Sequence, residues 1–131
     1  MTAAVDFNAY QINKVFFERN FSENDEVSTT LSIDLGVEIM FNPDNKNELK
    51  ADLKVNISGA ITSEVIVSGF FTANEELKKL ENEHALHIIA ASILIPYVRS
   101  LISFISAADG NQPIIIPTVN LNNAFTDQEE N

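Results

Sequence analysis

The stretch LSIDLGVEIMF, residues 31–41, decides the fold, because apolar side chains recur at every second position from Leu31 to Phe41. Successive side chains of a β-strand point to opposite faces, so this period of two predicts a half-buried strand. The stretch LKADLKVNIS, residues 49–58, repeats the pattern, and the turn-forming residues NPDNKN, 42–47, join the two. Together they predict an antiparallel hairpin with one apolar face.

Two further strands extend this hairpin in both directions along the chain. The tight-turn sequence SGA, residues 58–60, leads into a third alternating segment from Ile61 to about Thr72. Near the start, residues 10–21 also alternate, but their apolar phase slips by one residue at positions 13–14, which predicts a bulge. We expect four strands in meander order, forming an antiparallel sheet with one strongly apolar face.

A single long helix covers that face in the predicted fold, which is therefore α+β. The helix extends from about Glu75 to Ala108, with Asn74 as its N-cap and Gly110 after its end. Pro96 lies inside the helix and has no amide proton to donate to the preceding turn. A kink or a break is expected there.

Length and composition fit one domain. A chain of 131 residues buries roughly two-thirds of its unfolded surface, and we expect one domain over residues 1–125 with a flexible acidic tail over residues 126–131. The net charge of −11 repels phosphate backbones, so nucleic acid is excluded as a partner and basic polypeptides are favoured. The absence of cysteine excludes disulfides and thiolate chemistry. The first residues lack the features of a secretory signal, so a cytoplasmic location is expected.

The helix is apolar around nearly all of its circumference. Its polar residues from position 92 onward form one narrow stripe, whereas packing on one sheet needs an apolar arc of only about 100°. Leaving the surplus in water would forfeit roughly 1.5 to 3 kcal/mol per large side chain. We therefore expect contacts between the helices of a homodimer or homotetramer. The predicted oligomer interface consists of Ser92, Tyr97, Arg99, Ser103 and Ser106.

Membrane insertion is the alternative use of so apolar a helix. Arg99 near its middle would cost about 2.5 to 3.5 kcal/mol in a bilayer, and Pro96 interrupts the apolar run. No cluster of basic residues follows the helix to fix an orientation. These features favour the oligomer over a membrane span.

Catalytic and metal-binding patterns are sparse. His84 and His87 are three residues apart beside Glu81 and Glu83, a spacing that metal sites use, but the sequence has no second cluster of ligands. Its four isolated glycines exclude the phosphate-binding loops of nucleotide-dependent enzymes. A hotdog-type thioesterase, with Glu81, Glu83 or His84 as base, is the enzymatic alternative, yet hotdog chains usually place the helix before most strands. We predict no catalytic residue, no metal and no cofactor.

Several short motifs resemble the SecB family of protein-export chaperones. The matching segments are ILIPYVR (93–99), Pro113, PTVNL (117–121), Ala124-Phe125, YQINKVF (10–16), Glu64-Val65 and Gly69-Phe70-Phe71. In the family, the first five are similar to ILFPYAR, a proline, PVNF, a closing ALF and FQIQRIY, and the last two resemble its third strand. Order and approximate spacing match over most of the chain.

The resemblance implies both an assembly and a function. Sheets of the family pair edge to edge in a dimer, and helices pack between dimers in a tetramer. The family acts as an ATP-independent holdase, which keeps precursor polypeptides unfolded in apolar grooves and passes them to the SecA motor. Some SecB-like proteins instead serve a dedicated client such as an antitoxin, and the sequence leaves that alternative open.

Acidic positions of the sheet bind SecA in the family, and they transfer to this chain only in part. Glu23 and Glu64 stand where the family carries carboxylates, whereas Arg19 replaces another carboxylate and Thr62 stands where a leucine is usual. SecA binding is therefore left open. The family also continues past the closing ALF as a second helix, whereas this sequence has six residues after Phe125, so a more open groove is expected.

Apolar residues on the solvent side of the strands are the candidates for client binding. Met40, Ile66 and Phe70 fall on this side by their parity, and Phe16 joins them. Scattered apolar residues are common on protein surfaces, whereas a contiguous patch would form a groove. The predicted client-binding set is Phe16, Met40, Ile66, Phe70, Leu121 and Phe125, the last two as an alternative lining.

Overall fold

The computed structural model describes residues 5–20, 31–45, 47–73, 83–110 and 112–116. Its elements are β1 (Val5–Arg19), β2 (Leu31–Phe41), β3 (Glu48–Gly59), β4 (Ile61–Ala73) and α1 (Glu83–Ala107). The predicted α+β class, with four antiparallel strands followed by one helix, is confirmed. The proposed N-cap Asn74 and the predicted tail over residues 126–131 lie outside the described residues.

The four strands form one sheet in the order β1-β4-β3-β2, and every neighbouring pair is antiparallel. Strands β2, β3 and β4 form the predicted meander, but β1 pairs with β4 and not with β2, so the meander prediction is wrong for β1. An alternating pattern determines which face of a strand is buried but not which strand lies beside it. The connection over residues 20–30 is long enough to join opposite edges, because an extended residue spans about 3.3 Å and strands lie about 4.8 Å apart.

Strand β1 changes its pairing phase twice, between Phe7 and Ala9 and between Ile12 and Lys14. The second shift confirms the bulge predicted from the apolar pattern. It places Ile12 opposite Val67 and Val15 opposite Val65, on the face of the sheet that α1 covers. We call this the inner face and its opposite the outer face.

The core lies between α1 and strands β2, β3 and β4. Leu94, Val98 and Ile102 of the helix are buried against strand residues that include Leu53 and Val67. Each such side chain contributes roughly 1.5 to 3 kcal/mol by leaving water. The helix therefore stabilises the sheet along most of its length.

Helix α1 is continuous through Pro96, so of the two predicted alternatives the break is absent and the kink stays a prediction. Pro96 is exposed on the side away from the sheet, where water can hydrate a carbonyl left without its helical partner. The segment Leu86–Ala107 is long and apolar enough to cross a bilayer by composition alone. However, it lies against the sheet and contributes Leu86, Ala90, Leu94, Val98 and Ile102 to the core.

Candidate functional site

The outer face presents four of the predicted client-binding residues. Phe16 and Met40 are 43% and 37% exposed, and Ile66 and Phe70 are half-buried. Leu121 and Phe125 lie outside the described residues. The four outer residues do not form one contiguous patch.

A row of polar side chains divides the outer face. The side-chain amide of Asn13 donates to Ser68 Oγ at 2.5 Å, and Ser68 Oγ donates to the Asp52 carboxylate at 2.5 Å. This row crosses β1, β4 and β3 and buries Ser68 completely. Lys50 also stands between Met40 and Phe70 in the strand register. The apolar residues are thereby separated into two ends of the face.

Each end contains an open depression. A depression of about 430 Å³ beside the β2–β3 loop, the hairpin pocket, is lined by Met40, Phe70, Lys50 and Asn8 among others. At the other end, a depression of about 470 Å³, the turn pocket, is lined by residues that include Phe16, Glu64, Lys14 and Asn56. Both combine an aromatic floor with charged walls, so each can accept an amphipathic segment of a polypeptide.

Glu64, one of the two predicted partner-binding carboxylates, is already engaged within the protomer. Lys14 Nζ lies 3.1 Å from Glu64 Oε1, and Lys54 Nζ lies 3.8 Å away. The hydrogen bond from Lys14, together with the positive charges of Lys14 and Lys54, lowers the pKa of Glu64 below its ordinary value. A basic partner would have to compete with both lysines. Glu23, the other predicted carboxylate, lies outside the described residues.

The inner side of β1 is a second apolar surface, which the sequence reasoning did not identify. The helix packs mainly on β2, β3 and β4, so Ile12 and Val15 remain exposed beside it. The ring of Tyr10 stacks on that of Tyr97 with a centroid distance of 4.2 Å, and Phe7 lies between them and the core. We call this surface the β1 flank. The phase slip at Asn13 was its only signal in the sequence.

A third apolar surface lies on the side of α1 that faces away from the sheet. Phe104 is 74% exposed there, in line with exposed Pro96 and Ser100. Ser92 of the predicted oligomer interface is exposed as well, whereas Tyr97 is 38% exposed and belongs to the β1 flank through its stacking on Tyr10. The apolar surplus inferred from the sequence is therefore present on the folded protomer.

The rest of the predicted oligomer interface is occupied by the chain itself. Residues 112–116, which we call the strap, run antiparallel to the helix over Arg99, Ser103 and Ser106, which we call the polar stripe. Ser106 Oγ accepts from the Ile114 amide at 2.7 Å, and Ser103 Oγ donates to the Ile114 carbonyl at 3.0 Å. Arg99 Nε donates to the Ile116 carbonyl at 3.1 Å.

This arrangement gives the polar stripe partners within the protomer, and its role between copies stays a prediction. Ser106 is fully buried, so with the strap in place its side chain does not reach the protomer surface. Arg99 and Ser103 are half-buried beneath the strap. Polar groups on an otherwise apolar helix need partners when they are covered, and the strap backbone supplies them. A helical period alone could not distinguish a strap of the same chain from a second helix.

Arg19 closes the end of the helix. Its guanidinium donates to the Ser106 carbonyl at 2.5 Å, lies 3.7 Å from Asp109 and stacks over the Phe17 ring. A cation at a helix C-terminus satisfies free carbonyls and the helix dipole. The basic residue at this position, noted above as a departure from the family pattern, therefore has a structural role.

Within the described residues no group of three His, Asp or Glu side chains is arranged to hold a metal ion. His87 is half-buried on α1, and the side chain of His84 is not among those described. The helix also follows all four strands, an order that disagrees with the hotdog alternative.

The fold and its three apolar surfaces define an α+β protein built to contact other polypeptides. The sequence model of the family described as "Preprotein translocase subunit SecB" matches residues 5–131. The chain therefore belongs to the SecB family, and the resemblance noted in its motifs is confirmed.

Two proteins with curated sequences are similar to this chain. An uncharacterised protein of Methanocaldococcus jannaschii is 28% identical over 97% of this chain and 86% of that protein. The protein-export protein SecB of Ehrlichia canis is 32% identical over 62% of this chain and 50% of its own length.

Solved structures share the fold. A SecB-like chaperone of Mycobacterium tuberculosis, in complex with a ChAD peptide from the HigA1 antitoxin, superposes with a TM-score of 0.67. That match covers 89% of this chain and 88% of the chaperone at 9% identity. A protein of unknown function from Streptococcus agalactiae gives a TM-score of 0.55 over 87% of this chain and 97% of that one, at 15% identity.

Proposed function

We propose that this protein is an ATP-independent holdase chaperone, which binds unfolded polypeptides and keeps them from aggregating. One observation carries the proposal: a chain that matches the SecB family from residue 5 to 131 folds into a protomer whose own helix leaves large apolar side chains uncovered. Apolar capture needs no energy source, because unfolded chains offer area worth roughly 25 cal/mol for each Å² removed from water. We place the protein in the cytoplasm and assign it no enzymatic activity.

The working form is proposed to be a homo-oligomer, a dimer or a tetramer of two dimers. The β1 flank and the outward side of α1 carry Ile12, Val15 and Phe104 in water in the isolated protomer. Burying these side chains between copies removes the unfavourable free energy of exposing them to water. It also leaves the two outer-face pockets accessible.

The outer face is our proposed client surface, with Phe16, Met40, Ile66 and Phe70 as the contacts. The double variant Ile66→Ser with Phe70→Ser should weaken binding of an unfolded client while leaving the oligomer intact. A matched control is Thr62→Ser with Thr72→Ser, which alters the same strand and face, removes one methyl group from each side chain and keeps the hydroxyls that Asn20 and Asn8 bind. Unchanged client affinity in the double serine variant would place the client surface elsewhere, with Leu121 and Phe125 as the next candidates.

The test of the function itself is aggregation without nucleotide. A denatured or reduced protein is diluted in the presence of the chain, and light scattering is followed. We expect suppression at near-stoichiometric ratios, little binding to the native form of the same protein, and suppression that survives high salt. Unhindered aggregation together with hydrolysis of an acyl thioester would overturn the proposal in favour of the hotdog reading.

A client-specific chaperone is the second candidate. The observation that favours it is the shared fold with a SecB-like chaperone solved with a peptide of an antitoxin. A panel of unrelated unfolded proteins separates the two functions. Comparable affinities across the panel support general export, and one strong partner among weak ones supports a dedicated role.

Docking of a SecA-like motor through Glu23 and Glu64 is proposed as a weak, salt-sensitive contact. Lys14 and Lys54 already neutralise Glu64, so a basic partner gains little from it. The variant Lys14→Ala should strengthen binding of a basic partner at low salt, as measured by calorimetry.

A further inference from the structure

The strap is held to the fold by side chains of α1. It is extended but pairs with none of the four described strands, and the polar stripe of α1 binds its backbone through side chains instead. Ile114 packs against the core, Ile116 is buried, and Ile115 between them is 68% exposed. The strap thus alternates inward and outward as a bound extended peptide does.

The spacing of the polar stripe suits any extended backbone. Arg99 and Ser103 are four residues apart, about 6 Å along a helix. Alternate residues of an extended chain, such as Ile114 and Ile116, repeat at about 6.7 Å. Successive turns of the helix therefore meet successive backbone groups on the same side of the strap. All three hydrogen bonds involve backbone atoms of the strap, so they do not depend on which side chains it carries.

The residues beside and within the strap would also allow it to detach from α1. Gly110 lies two residues before the strap, with a φ of 88° that glycine adopts without strain and with nothing within 4 Å of a Cβ atom built there. Pro113 lacks an amide, which favours an extended chain over a helix at this point. A short segment held by side chains of one helix and by the burial of Ile114 and Ile116 can be displaced without breaking any hydrogen bond between strands.

We infer that the polar stripe, with the apolar sites under Ile114 and Ile116, is a binding site for an extended client segment, and that the strap is its internal occupant. The preferred ligand is an unfolded segment with apolar side chains at alternate positions and free backbone amides and carbonyls. Client binding at this site displaces the strap. This inference rests on the proposed holdase function and names a site for it apart from the outer face.

Hydrogen exchange on the unaltered protein tests the displacement. A permanently unfolded, reduced and carboxymethylated protein is added, and exchange of the amides at Ile114, Ile115 and Ile116 is followed. The Ile114 amide is bonded to Ser106 Oγ, so its exchange should accelerate when client binds. Bound client with an unchanged or slower Ile114 amide overturns the inference and leaves the holdase function standing. Failure to bind client at all would instead refute the proposed function.

A matched pair of variants gives a second measurement. Ile116→Ser removes the buried anchor of the strap, and Ile115→Ser makes the same change at its exposed neighbour. If the strap competes with client, Ile116→Ser should tighten client binding by about threefold to tenfold, because more of the protein has an open site. Ile115→Ser should leave affinity unchanged. Equal or weaker client binding by folded Ile116→Ser, with the oligomer unaltered, contradicts the inference.

Discussion

At Gly69 helix α1 approaches the sheet so closely that a side chain has no room. A Cβ atom there would lie 2.7 Å from Cε2 of Phe71 and 2.9 Å from Cδ2 of Leu94. Both neighbours are buried and cannot swing away. Close packing between α1 and β4 therefore requires a glycine at position 69.

The first prediction follows from this contact. Gly69→Ala should lower the free energy of unfolding by about 1 to 3 kcal/mol, the usual cost of overpacking a core. Gly36→Ala is the control, because nothing lies within 4 Å of a Cβ built there. Urea denaturation followed by circular dichroism measures both. Equal stability of the two variants would show that the helix is not pressed against β4.

Arg19 supports the second prediction. Arg19→Ala removes the hydrogen bond to the Ser106 carbonyl and the cation at the end of α1, and we expect a loss of about 1 to 2 kcal/mol in unfolding free energy. Asp109→Asn keeps the shape of the side chain and removes the negative charge that faces Arg19 in a partly exposed ion pair, which should cost under about 0.5 kcal/mol. If both variants lose the same stability, the ion pair and not the helix cap explains the role of Arg19.

The third prediction concerns the charge on Glu64. Its pKa is lowered in the folded state, so its stabilising effect is complete above the unfolded pKa and is lost as the pH falls through the folded value. Lys14→Ala should raise the pKa of Glu64 toward its ordinary value, as followed by NMR titration of the side-chain carboxyl. The stability difference between the two proteins should be present at neutral pH and disappear in acid. A Glu64 titration that Lys14→Ala leaves unchanged would assign the shift to Lys54.

Among the elements, α1 has three distinct sides. One side packs on the sheet through Leu94 and Val98, the polar stripe holds the strap, and a third side presents Phe104 to solvent. A helix covered on one side would expose polar residues on the others. The exposed side of α1 is therefore the surface from which we expect assembly.

The fourth prediction separates folding from assembly at this element. Phe104→Asp should leave the circular dichroism spectrum and the protomer fold unchanged but should dissociate the oligomer, because a carboxylate cannot be buried between apolar helices. Thr62→Asp adds the same charge on the outer face and should not alter the mass of the oligomer in solution. Analytical ultracentrifugation measures both. An oligomer that survives Phe104→Asp must be held by another surface, for which the β1 flank is the candidate.

For the whole molecule, the fifth prediction is an oligomer that resists salt. Apolar contacts do not weaken with screening, whereas the Debye length falls to about 3 Å at 1 M salt. Light scattering at micromolar concentration should give the mass of a dimer or tetramer at both low and high salt. With a net charge of −11, repulsion between copies should make assembly slightly stronger at high salt. A compact monomer would contradict the proposed assembly.

Much of the architecture was predictable because its signals are local. Period-two stretches predicted the strands, the turn sequence SGA at residues 58–60 placed the β3–β4 turn, and Gly59 indeed has a φ of 128°. The slip near Asn13 predicted the bulge of β1. Of the candidate client residues, Met40 and Phe16 proved exposed as their parity indicated.

Taken alone, the sequence determined the strands, the helix, the apolar face of each strand and the surplus of apolar surface on α1, because these depend on side chains close together in the chain. Only the tertiary structure decided that β1 lies beside β4. It also decided that Lys14 and Lys54 form ion pairs with Glu64, and that the strap covers Ser103 and Ser106. The physical reason is that periodicity specifies the environment of a side chain, buried or exposed, but not the identity of the distant segment that provides it. Neighbour choice depends on the packing of the whole fold.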